Sequence, residues 1–246
     1  EEDDISEGNE EFTLKVEVLE GTTSNQEVSG TGTILDDDGV PTILIGDSVV
    51  NEEDGTITFK VSLTNPSSSE VTVDYVTVDG TAIAGEDYTS TTGTITFPVD
   101  TTVQYITVPV LDDSIYENDE KFTVELSNAV NATIEDELGE GVIKDNDVPE
   151  LLITDTKTTE GDYAEFVISL SNPSAEDTKV RLTPEAGSAT EGEDYSAEVE
   201  VLVNGVWTPA SEAVIAAGET QLVARVKTEE DDISEGNEEF TLKVEV

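Results

Sequence analysis

The chain has 246 residues, of which 58 are Asp or Glu and 10 are Lys or Arg, so its formal net charge is -48. It contains no His and no Cys, which excludes Ser-His-Asp and Cys-His catalysis and removes the usual ligands of zinc, copper and haem iron. A negative charge of this size repels nucleic acid phosphates and anionic membranes, so neither is an expected partner.

Acidic chains are often disordered, but apolar residues make up 35% of this chain. They are largely β-branched and regularly spaced, which favours a folded protein. No apolar run approaches the ~18 residues of a membrane span. We therefore expect a folded segment that does not insert into a membrane.

Residues 1–18 and 229–246 have the same sequence, EEDDISEGNEEFTLKVEV. Self-similarity at a fixed long offset is typical of repeat proteins. We expect the chain to be a window from a longer repetitive protein, with two alternating domains in each long repeat.

Apolar and polar residues alternate in four main segments, which predicts half-buried β-strands. In chain order, the residues expected to point inward are Ile57, Phe59, Val61 and Leu63; Phe122, Val124 and Leu126; Phe166, Ile168 and Leu170; and Phe240, Leu242 and Val244. Turns are predicted at Asn65-Pro66-Ser67, Asp79-Gly80, Thr92-Gly93, Asn172-Pro173 and Asn204-Gly205. Short strands separated by such turns predict an all-β fold of tandem immunoglobulin-like antiparallel β-sandwiches, joined end to end.

The motifs SLTNP and SLSNP begin at Ser62 and Ser169, an offset of 107 residues, which is the size of one immunoglobulin-like domain. We expect three parts: a C-terminal fragment of a preceding repeat (1–39), a complete sandwich (40–148) and a second sandwich that lacks its last strand (149–246). The missing strand should resemble residues 27–35.

Acidic residues gather in four segments of the complete repeat, at 52–54, 86–87, 112–120 and 145–147. In a sandwich of about seven antiparallel strands, these segments follow strands one, three, five and seven, and so lie at one end. Carboxylates crowded in this way repel each other unless a cation lies between them. Oxygen ligands without nitrogen or sulfur favour Ca²⁺, with Mg²⁺ as the second choice. The alternative is that these are solvated acidic turns.

Three motifs, GTAIAGEDY (80–88), LDDSIYENDEKF (111–122) and GVIKDND (141–147), resemble the Calx-β repeat. This is the calcium-binding sandwich of sodium-calcium exchangers and of very large bacterial surface adhesins. The resemblance extends over nearly the whole chain and implies Ca²⁺ as the bound ion.

The resemblance also implies a set of carboxylate ligands in each copy. In the complete copy these are Glu52 or Glu53, Asp87, Asp112, Asp113, Glu117, Glu120, Asp145 and Asp147. In the last copy they are Glu160, Asp194, Glu230, Asp231, Asp232, Glu235 and Glu238. In the N-terminal fragment they are Glu2, Asp3, Asp4, Glu7, Glu10, Asp36, Asp37 and Asp38.

Ser114 and Asn146 stand where the family often has acids, so the complete copy is expected to hold fewer ions or to hold them less tightly. The last copy has no terminal acidic triplet within this chain, so its site is expected to be incomplete unless another chain supplies one. The last copy also has an insertion that reads as a hairpin, from Val199 to Thr208, and carries the only Trp. An exposed Trp207 is either a sugar platform or a cover for a hydrophobic edge.

Short linkers containing Pro41 and Pro149 limit flexibility between repeats. We therefore expect Ca²⁺ to neutralise the acidic junctions and stiffen the chain into a rod. The preferred function is a structural extender of an adhesin on the bacterial cell surface, partnered by neighbouring repeats of the same chain. The alternatives are a calcium-sensor regulatory module and a ligand-binding adhesion domain. Catalysis by paired carboxylates is not expected, because no cleft or aromatic substrate platform is evident.

A further expectation concerns self-association. Residues 27–38 have the sequence of the strand, with its acidic triplet, that the last copy lacks. Strand donation between chains would then join copies head to tail.

Overall fold

The structure, a computed structural model, describes residues 3–231 and 236–246. The chain divides into two compact units. The first comprises the chain up to Asp112 together with residues 119–144, and the second comprises residues 113–118 and 145–246. The short segment 113–118 therefore belongs to the second unit, although in sequence it lies between two strands of the first.

The first unit contains eleven described strands in three sheets. They are β1 (Glu10–Glu17), β2 (Glu27–Ile34), β3 (Thr42–Ile45), β4 (Ser48–Asn51), β5 (Thr56–Leu63), β6 (Val71–Asp79), β7 (Thr92–Phe97), β8 (Val103–Pro109), β9 (Glu120–Val130), β10 (Thr133–Ile134) and β11 (Leu138–Lys144). The sheet orders are β1-β2, β10-β3-β5-β8 and β4-β11-β9-β6-β7. All neighbours are antiparallel except β10 with β3 and β11 with β4.

The predicted alternation places one side of each main strand in the core. Ile57, Phe59, Val61 and Leu63 are buried on β5, and Phe122, Val124 and Leu126 are buried on β9. Phe122 lies at the centre, because its ring stacks on Tyr88 at 4.3 Å and meets Phe59 edge-on at 5.8 Å. The prediction of an all-β, immunoglobulin-like sandwich is confirmed.

Tyr88 fastens the loop that follows β6 to the core. Its ring is fully buried, and its hydroxyl donates a hydrogen bond to Asp79 Oδ1 at 2.6 Å. The same oxygen accepts the backbone N–H of Ala84 at 3.0 Å. Burial, with the hydrogen bond to Asp79, raises the pKa of Tyr88 to about 12.

The second unit contains eight described strands in two sheets. They are β12 (Leu151–Ile153), β13 (Tyr163–Leu170), β14 (Thr178–Ala186), β15 (Tyr195–Val203), β16 (Val206–Pro209), β17 (Glu212–Ile215), β18 (Gln221–Thr228) and β19 (Phe240–Glu245). The sheet orders are β12-β13-β18-β15-β16 and β17-β14-β19.

The core of the second unit repeats that of the first. Phe166, Ile168 and Leu170 are buried on β13, and Leu242 is buried on β19, whereas Phe240 and Val244 are half-buried. Phe240 stacks on Tyr195 at 4.6 Å and meets Phe166 edge-on at 6.1 Å. The same aromatic arrangement therefore forms at equivalent positions of both units.

The predicted hairpin at Asn204-Gly205 is confirmed, since β15 and β16 pair around it with Leu202 opposite Trp207. Trp207 stacks on the guanidinium of Arg225 at 4.0 Å, and Arg225 lies over Tyr163 at 3.7 Å. Arg225 also pairs with Glu200 at 2.7 Å. Arg225 therefore contacts one face of the Trp207 indole through a cation–π interaction.

The turn predicted at Thr92-Gly93 is wrong. Both residues belong to β7, where Gly93 pairs with Tyr75 of β6. A Cβ at position 93 would lie 2.9 Å from the Tyr75 hydroxyl oxygen, so this glycine makes room for the Tyr75 side chain within the sheet.

Within the described ranges, no helix has the length and apolar character needed to cross a bilayer.

Replacing Tyr88 by Phe tests its role. A raised tyrosine pKa contributes stability that is present below pH 10 and is lost as the pH rises toward about 12. We expect Tyr88→Phe to lower the free energy of unfolding at pH 7 by about 1 kcal/mol through the lost hydrogen bond. The free energy of unfolding of this variant should then decline less steeply at alkaline pH than that of the parent chain. Denaturant melts from pH 7 to 11.5 provide the measurement. The exposed Tyr105 is the control, and identical alkaline slopes for Tyr88→Phe and the parent chain would contradict the assignment.

Candidate metal centre

A short 3-10 helix, Glu52–Asp54, decides which of two adjacent glutamates points inward. The backbone N–H of Asn51 donates to Asp54 Oδ2 at 3.2 Å at its start. Gly55 ends it with a left-handed φ of 72°, and its N–H donates to the Glu52 carbonyl at 3.2 Å. This turn leaves Glu52 only 8% exposed and Glu53 exposed. Of the predicted alternatives, Glu52 is therefore the buried one.

The loop after β6 lies close against the start of β9 because Gly80 has no side chain. A Cβ on Gly80 would collide with the Lys121 carbonyl oxygen. Two hydrogen bonds hold this approach: Ala82 N–H to the Lys121 carbonyl at 2.9 Å, and Lys121 N–H to Thr81 Oγ1 at 2.8 Å. The end of this loop carries Asp87, whose Oδ2 accepts the N–H of Ile83 at 2.6 Å.

Both acidic segments are held against the end of β8. The N–H of Val110 donates to the Gly55 carbonyl at 3.0 Å, and that of Leu111 donates to the Asp87 carbonyl at 2.9 Å. As a result, carboxylate oxygens of Glu52 and Asp112 lie within 4.8 Å of each other, and so do those of Asp87 and Glu120. Four predicted ligands thus form two close pairs within the first unit.

Like charges at this separation repel, and burial of Glu52 strengthens the effect because less water screens it. All four side chains offer hard oxygen donors. Two ligands on opposite sides of a Ca²⁺ ion at ~2.4 Å are ~4.8 Å apart, so the spacing of both pairs suits a shared calcium ion. Because Glu52 is buried, the alternative that these acids are solvated turns is less favoured for the pair of Glu52 and Asp112.

In the second unit, Asp145 organises the other predicted acids. Its Oδ2 accepts the N–H of Glu117 at 2.9 Å, and its Oδ1 accepts the N–H of Asp147 at 3.0 Å. Asp113 Oδ1 accepts the N–H of Ile115 at 2.6 Å. These bonds fix the backbone of two acidic segments that are 28 residues apart in sequence.

The N-terminal part of the first unit has the same arrangement. Asp36 accepts the N–H of Glu7 at 3.1 Å and that of Asp38 at 3.4 Å, and Asp3 accepts the N–H of Ile5 at 3.0 Å. Asn9 also joins this network, because its Oδ1 accepts the N–H of Asp36 at 3.1 Å. The hydrogen-bond pattern around Asp145 therefore recurs around Asp36.

Two Asn-Pro-Ser turns, at residues 65–67 and 172–174, complete this design. Ser6 N–H donates to the Pro66 carbonyl and Ser68 N–H to the Ser6 carbonyl, both at 3.0 Å. In the second unit, Tyr116 N–H donates to the Pro173 carbonyl at 2.9 Å and Ala175 N–H to the Tyr116 carbonyl at 2.8 Å. Each turn thereby holds one acidic loop through its backbone.

The asparagines of these turns donate to backbone carbonyls at the end of, or directly after, the acidic triplets 145–147 and 36–38. Asn65 Nδ2 donates to the Gly39 carbonyl at 3.1 Å, and Asn172 Nδ2 donates to the Asp147 carbonyl at 2.5 Å. The signal available in the sequence was the recurrence of N-P-S at an offset of 107 residues, from Asn65 to Asn172.

The last set of acids lies around Asp194 and Glu230. Asp194 Oδ2 accepts the N–H of Thr190 at 2.7 Å, which matches the bond at Asp87, and the Asp194 carbonyl accepts the N–H of Glu229 at 2.9 Å. A Cβ on Gly161, next to Glu160, would lie 2.5 Å from Glu230 Oε2. Asp194, Glu160 and Glu230 are therefore attached to neighbouring backbone segments.

Exposed side chains among the predicted ligands include those of Asp4, Glu10, Asp37, Glu53, Glu160, Asp231 and Glu238. Glu2, Asp232 and Glu235 lie outside the described residues.

Comparison with known families supports the interpretation of the motifs. The family described as Calx-beta domain matches residues 1–48, 36–157 and 144–246. Sodium/calcium exchanger 1 of Canis lupus familiaris is 39% identical over 92 residues, which are 37% of this chain and 9% of the exchanger. The Bos taurus exchanger 1 is 49% identical over 61 residues, 25% of this chain and 6% of the exchanger. The chain thus spans less than a tenth of the length of these relatives.

Among solved structures, the apo form of the Calx CBD1 domain is similar over 44% of this chain and 100% of that chain, with a TM-score of 0.43 and 28% identity.

The N-terminal network predicts a specific pH dependence. Desolvation, followed by nearby carboxylates such as Asp3, raises the pKa of Glu7; desolvation, followed by Asp37 and Asp36, raises the pKa of Asp38. A carboxyl whose pKa is higher in the folded state stabilises the fold at low pH and loses that contribution as the pH rises through the raised value. In EDTA, we expect the melting temperature to rise as the pH is lowered from 7 toward 5.

The double variant Glu7→Gln, Asp38→Asn should flatten this dependence, because it removes both titrating groups. A matched control is Glu11→Gln, Glu17→Gln, which makes the same change in net charge on exposed residues of β1. Equal pH dependence in the two double variants would contradict the proposed electrostatic cause.

Proposed function

The chain belongs to the Calx-beta domain family, and we propose that it binds Ca²⁺ through its acidic segments and serves as a calcium-dependent structural extender. The observation that carries the proposal is the close pairing of Glu52 with Asp112 and of Asp87 with Glu120. A divalent cation would replace repulsion within each pair by attraction to a shared ion.

The donor set fits calcium better than other common metal ions. Every predicted ligand is a carboxylate, and the chain has no His or Cys, so the softer transition metals lack their preferred ligands. The supporting turns are irregular, which Ca²⁺ tolerates more readily than Mg²⁺ with its strict octahedral geometry. When bound, calcium would supply electrostatic cross-links between loops that otherwise repel.

An extender role is supported by repetition of the whole acidic arrangement. The bonds around Asp36 recur around Asp145, and the contact of Ser6 with its turn recurs at Tyr116. Identical sequence at 1–18 and 229–246 shows a longer-range repeat as well. Spacers grow by duplication of such units, and we propose that calcium at the acidic junctions between repeats stiffens the chain into a rod.

We further propose an extracellular location, as part of an adhesin on a bacterial surface. A surface spacer gains length from each added repeat, which a regulatory switch does not need. The large negative charge also fits an environment in which millimolar calcium is available, because weak extracellular sites have Kd values of ~10⁻⁴–10⁻³ M.

The second candidate is a calcium-sensor module, favoured by the 39% identity to sodium/calcium exchanger 1 over 92 residues. A sensor requires Kd values of ~10⁻⁷–10⁻⁵ M. A ligand-binding role for Trp207 is not proposed, since its ring already stacks on Arg225.

Replacing Asp112 by Asn should have opposite effects with and without calcium. In millimolar calcium, loss of one charged ligand is expected to weaken binding at that site at least tenfold, or about 1.4 kcal/mol, and to lower the melting temperature. In EGTA, the same variant should melt at an equal or higher temperature, because repulsion with Glu52 is relieved.

Glu125→Gln is the matched control, since it removes one charge from an exposed position on β9. Calorimetric melts and calcium titrations of the three proteins give the measurement. A destabilisation by Asp112→Asn that is the same in calcium and in EGTA would refute a metal-ligand role.

The extender proposal predicts both an affinity and a change in shape. Isothermal titration should give Kd values near ~10⁻⁴–10⁻³ M, whereas values below ~10⁻⁵ M would favour the sensor. Small-angle scattering should show a larger maximum dimension in calcium than in EGTA under conditions where circular dichroism shows both samples folded. An unchanged maximum dimension would argue against stiffening while leaving calcium binding intact.

A further inference from the structure

The sheet β10-β3-β5-β8 of the first unit contains no acidic residue. Its strands carry Lys60 as their one charged side chain, although 58 of the 246 residues of the chain are Asp or Glu. Each of the other four described sheets includes at least one acid. Neighbouring strands are ~4.8 Å apart, so this acid-free surface is wider than the Debye length of ~8 Å at physiological ionic strength. A second acidic molecule therefore meets less repulsion at this sheet than at the others.

Strand β8 lies at one edge of this sheet and has β5 as its neighbour. Two backbone bonds continue the β5–β8 ladder at its ends: Leu63 N–H donates to the Thr102 carbonyl at 2.9 Å, and Val110 N–H donates to the Gly55 carbonyl at 3.0 Å. Antiparallel partners exchange hydrogen bonds at every second position, so these two bonds fix which backbone groups of β8 point away from β5. Within β8 up to position 107, they are the groups of Val103, Tyr105 and Thr107.

The C-terminal end of this edge is closed. The Pro109 carbonyl accepts the N–H of Thr89 at 2.9 Å, and Tyr88 forms a bridge with Val110. Proline also has no N–H to offer at the edge. The open part of the edge therefore lies at residues 103–107, and the Tyr105 side chain at its centre is 62% exposed.

The second unit carries an additional strand on the corresponding edge. There β18, which pairs with β13 as β8 pairs with β5, has β15 on its other side. Arg225 of β18 lies opposite Glu200 of β15, and their side chains form the ion pair at 2.7 Å. In the first unit, the segment between Tyr88 and β7 forms no strand. The same edge thus accepts a further antiparallel strand in one unit, whereas the described residues provide none for it in the other.

The sequence of β8 suits pairing with a second β8. The outward residues are β-branched or aromatic and uncharged, as is favourable in strands. In an antiparallel pair with its two-fold axis at Tyr105, Val103 lies opposite Thr107 and all the outward backbone groups find partners. An axis at Thr107 would place Tyr105 opposite Pro109, which lacks an N–H. An axis at Val103 would place Thr107 opposite Val99, which lies outside the strands.

We propose that the edge of β8 binds β8 of a second copy of this chain, antiparallel about a two-fold axis at Tyr105. The same surface then serves both copies, which is the arrangement of a closed dimer. Main-chain hydrogen bonds provide the affinity, as in other cases of strand addition, and the adjoining acid-free strands reduce the repulsion between the copies. The strand contains no predicted calcium ligand, so the proposal is separate from the calcium-binding function.

Replacing Tyr105 by Lys tests this edge. Lysine on an edge strand opposes pairing, and Tyr105→Lys would place like charges directly opposite each other across the axis. Val76→Lys is the matched control, because it makes the same change in net charge at a position of β6, in the other sheet, that is 39% exposed. Melting temperatures close to that of the parent chain establish that both variants fold.

Sedimentation velocity of the three proteins in millimolar calcium gives the measurement. The weight-average sedimentation coefficient is expected to rise with concentration for the parent chain and for Val76→Lys, and Tyr105→Lys should associate at least tenfold more weakly. A parent chain that remains monomeric from micromolar to millimolar concentration would overturn the proposal. Equal association of all three proteins would also overturn it, because it would place the contact at another surface.

A single Cys at position 58 tests the register, because the chain has no native Cys. Thr58 is exposed on β5 and lies opposite Thr107. In the proposed dimer the two copies of this position are ~20 Å apart, as follows from strand spacing and the rise per residue. Double electron–electron resonance of nitroxide-labelled Thr58→Cys should give this distance, and a distribution centred well away from it would refute the register. These experiments leave every predicted calcium ligand unchanged, so their failure is distinguishable from failure of calcium binding.

Discussion

Repulsion between carboxylates held within 4.8 Å of one another is the constraint on which the rest of this structure depends. Solvent would ordinarily let such side chains move apart. Here the backbone that carries them is fixed: Glu52 by a 3-10 turn that buries it, and Asp87 by the bond from Leu111 to its carbonyl. The sandwich thus forms a rigid frame whose end carries more negative charge than it can neutralise alone. A cation held between these carboxylates, as proposed above, would resolve this conflict and link loops that follow different strands.

Backbone groups and small residues contribute to holding this frame together. Gly80 permits contact with the Lys121 carbonyl, and Gly187 permits the same approach to the Glu239 carbonyl in the second unit. Backbone N–H groups donate to Asp36, Asp87, Asp145 and Asp194. With only 10 basic residues against 58 acidic ones, the chain has few cations available for its loops. Among the ion pairs of the described residues, Arg225 is the most buried cation, and it lies among Tyr163, Trp207 and Glu200.

Repetition extends below the level of whole domains. A loop, an acidic triplet and an Asn-Pro-Ser turn form one set of contacts around Asp36 and again around Asp145. Duplicating such a set copies both the predicted metal ligands and the backbone bonds that hold them. Such duplication suits the proposed extender function, and it accounts for the recurrence of the turns together with the acids.

Alternating apolar residues and turn signals determined the sandwich, because a β-strand with one buried face requires a period of two whatever its neighbours are. The same reasoning failed at Thr92-Gly93, where the glycine accommodates the Tyr75 ring within a sheet and only the paired strand reveals that need. Sequence also located the acidic segments, but it left Glu52 and Glu53 equivalent and gave no role to Asn65, Asn172 or the bridges at Ser6 and Tyr116. Those points were decided by tertiary structure, because burial and long-range backbone bonds depend on which segments meet in space, and residue type alone does not specify that.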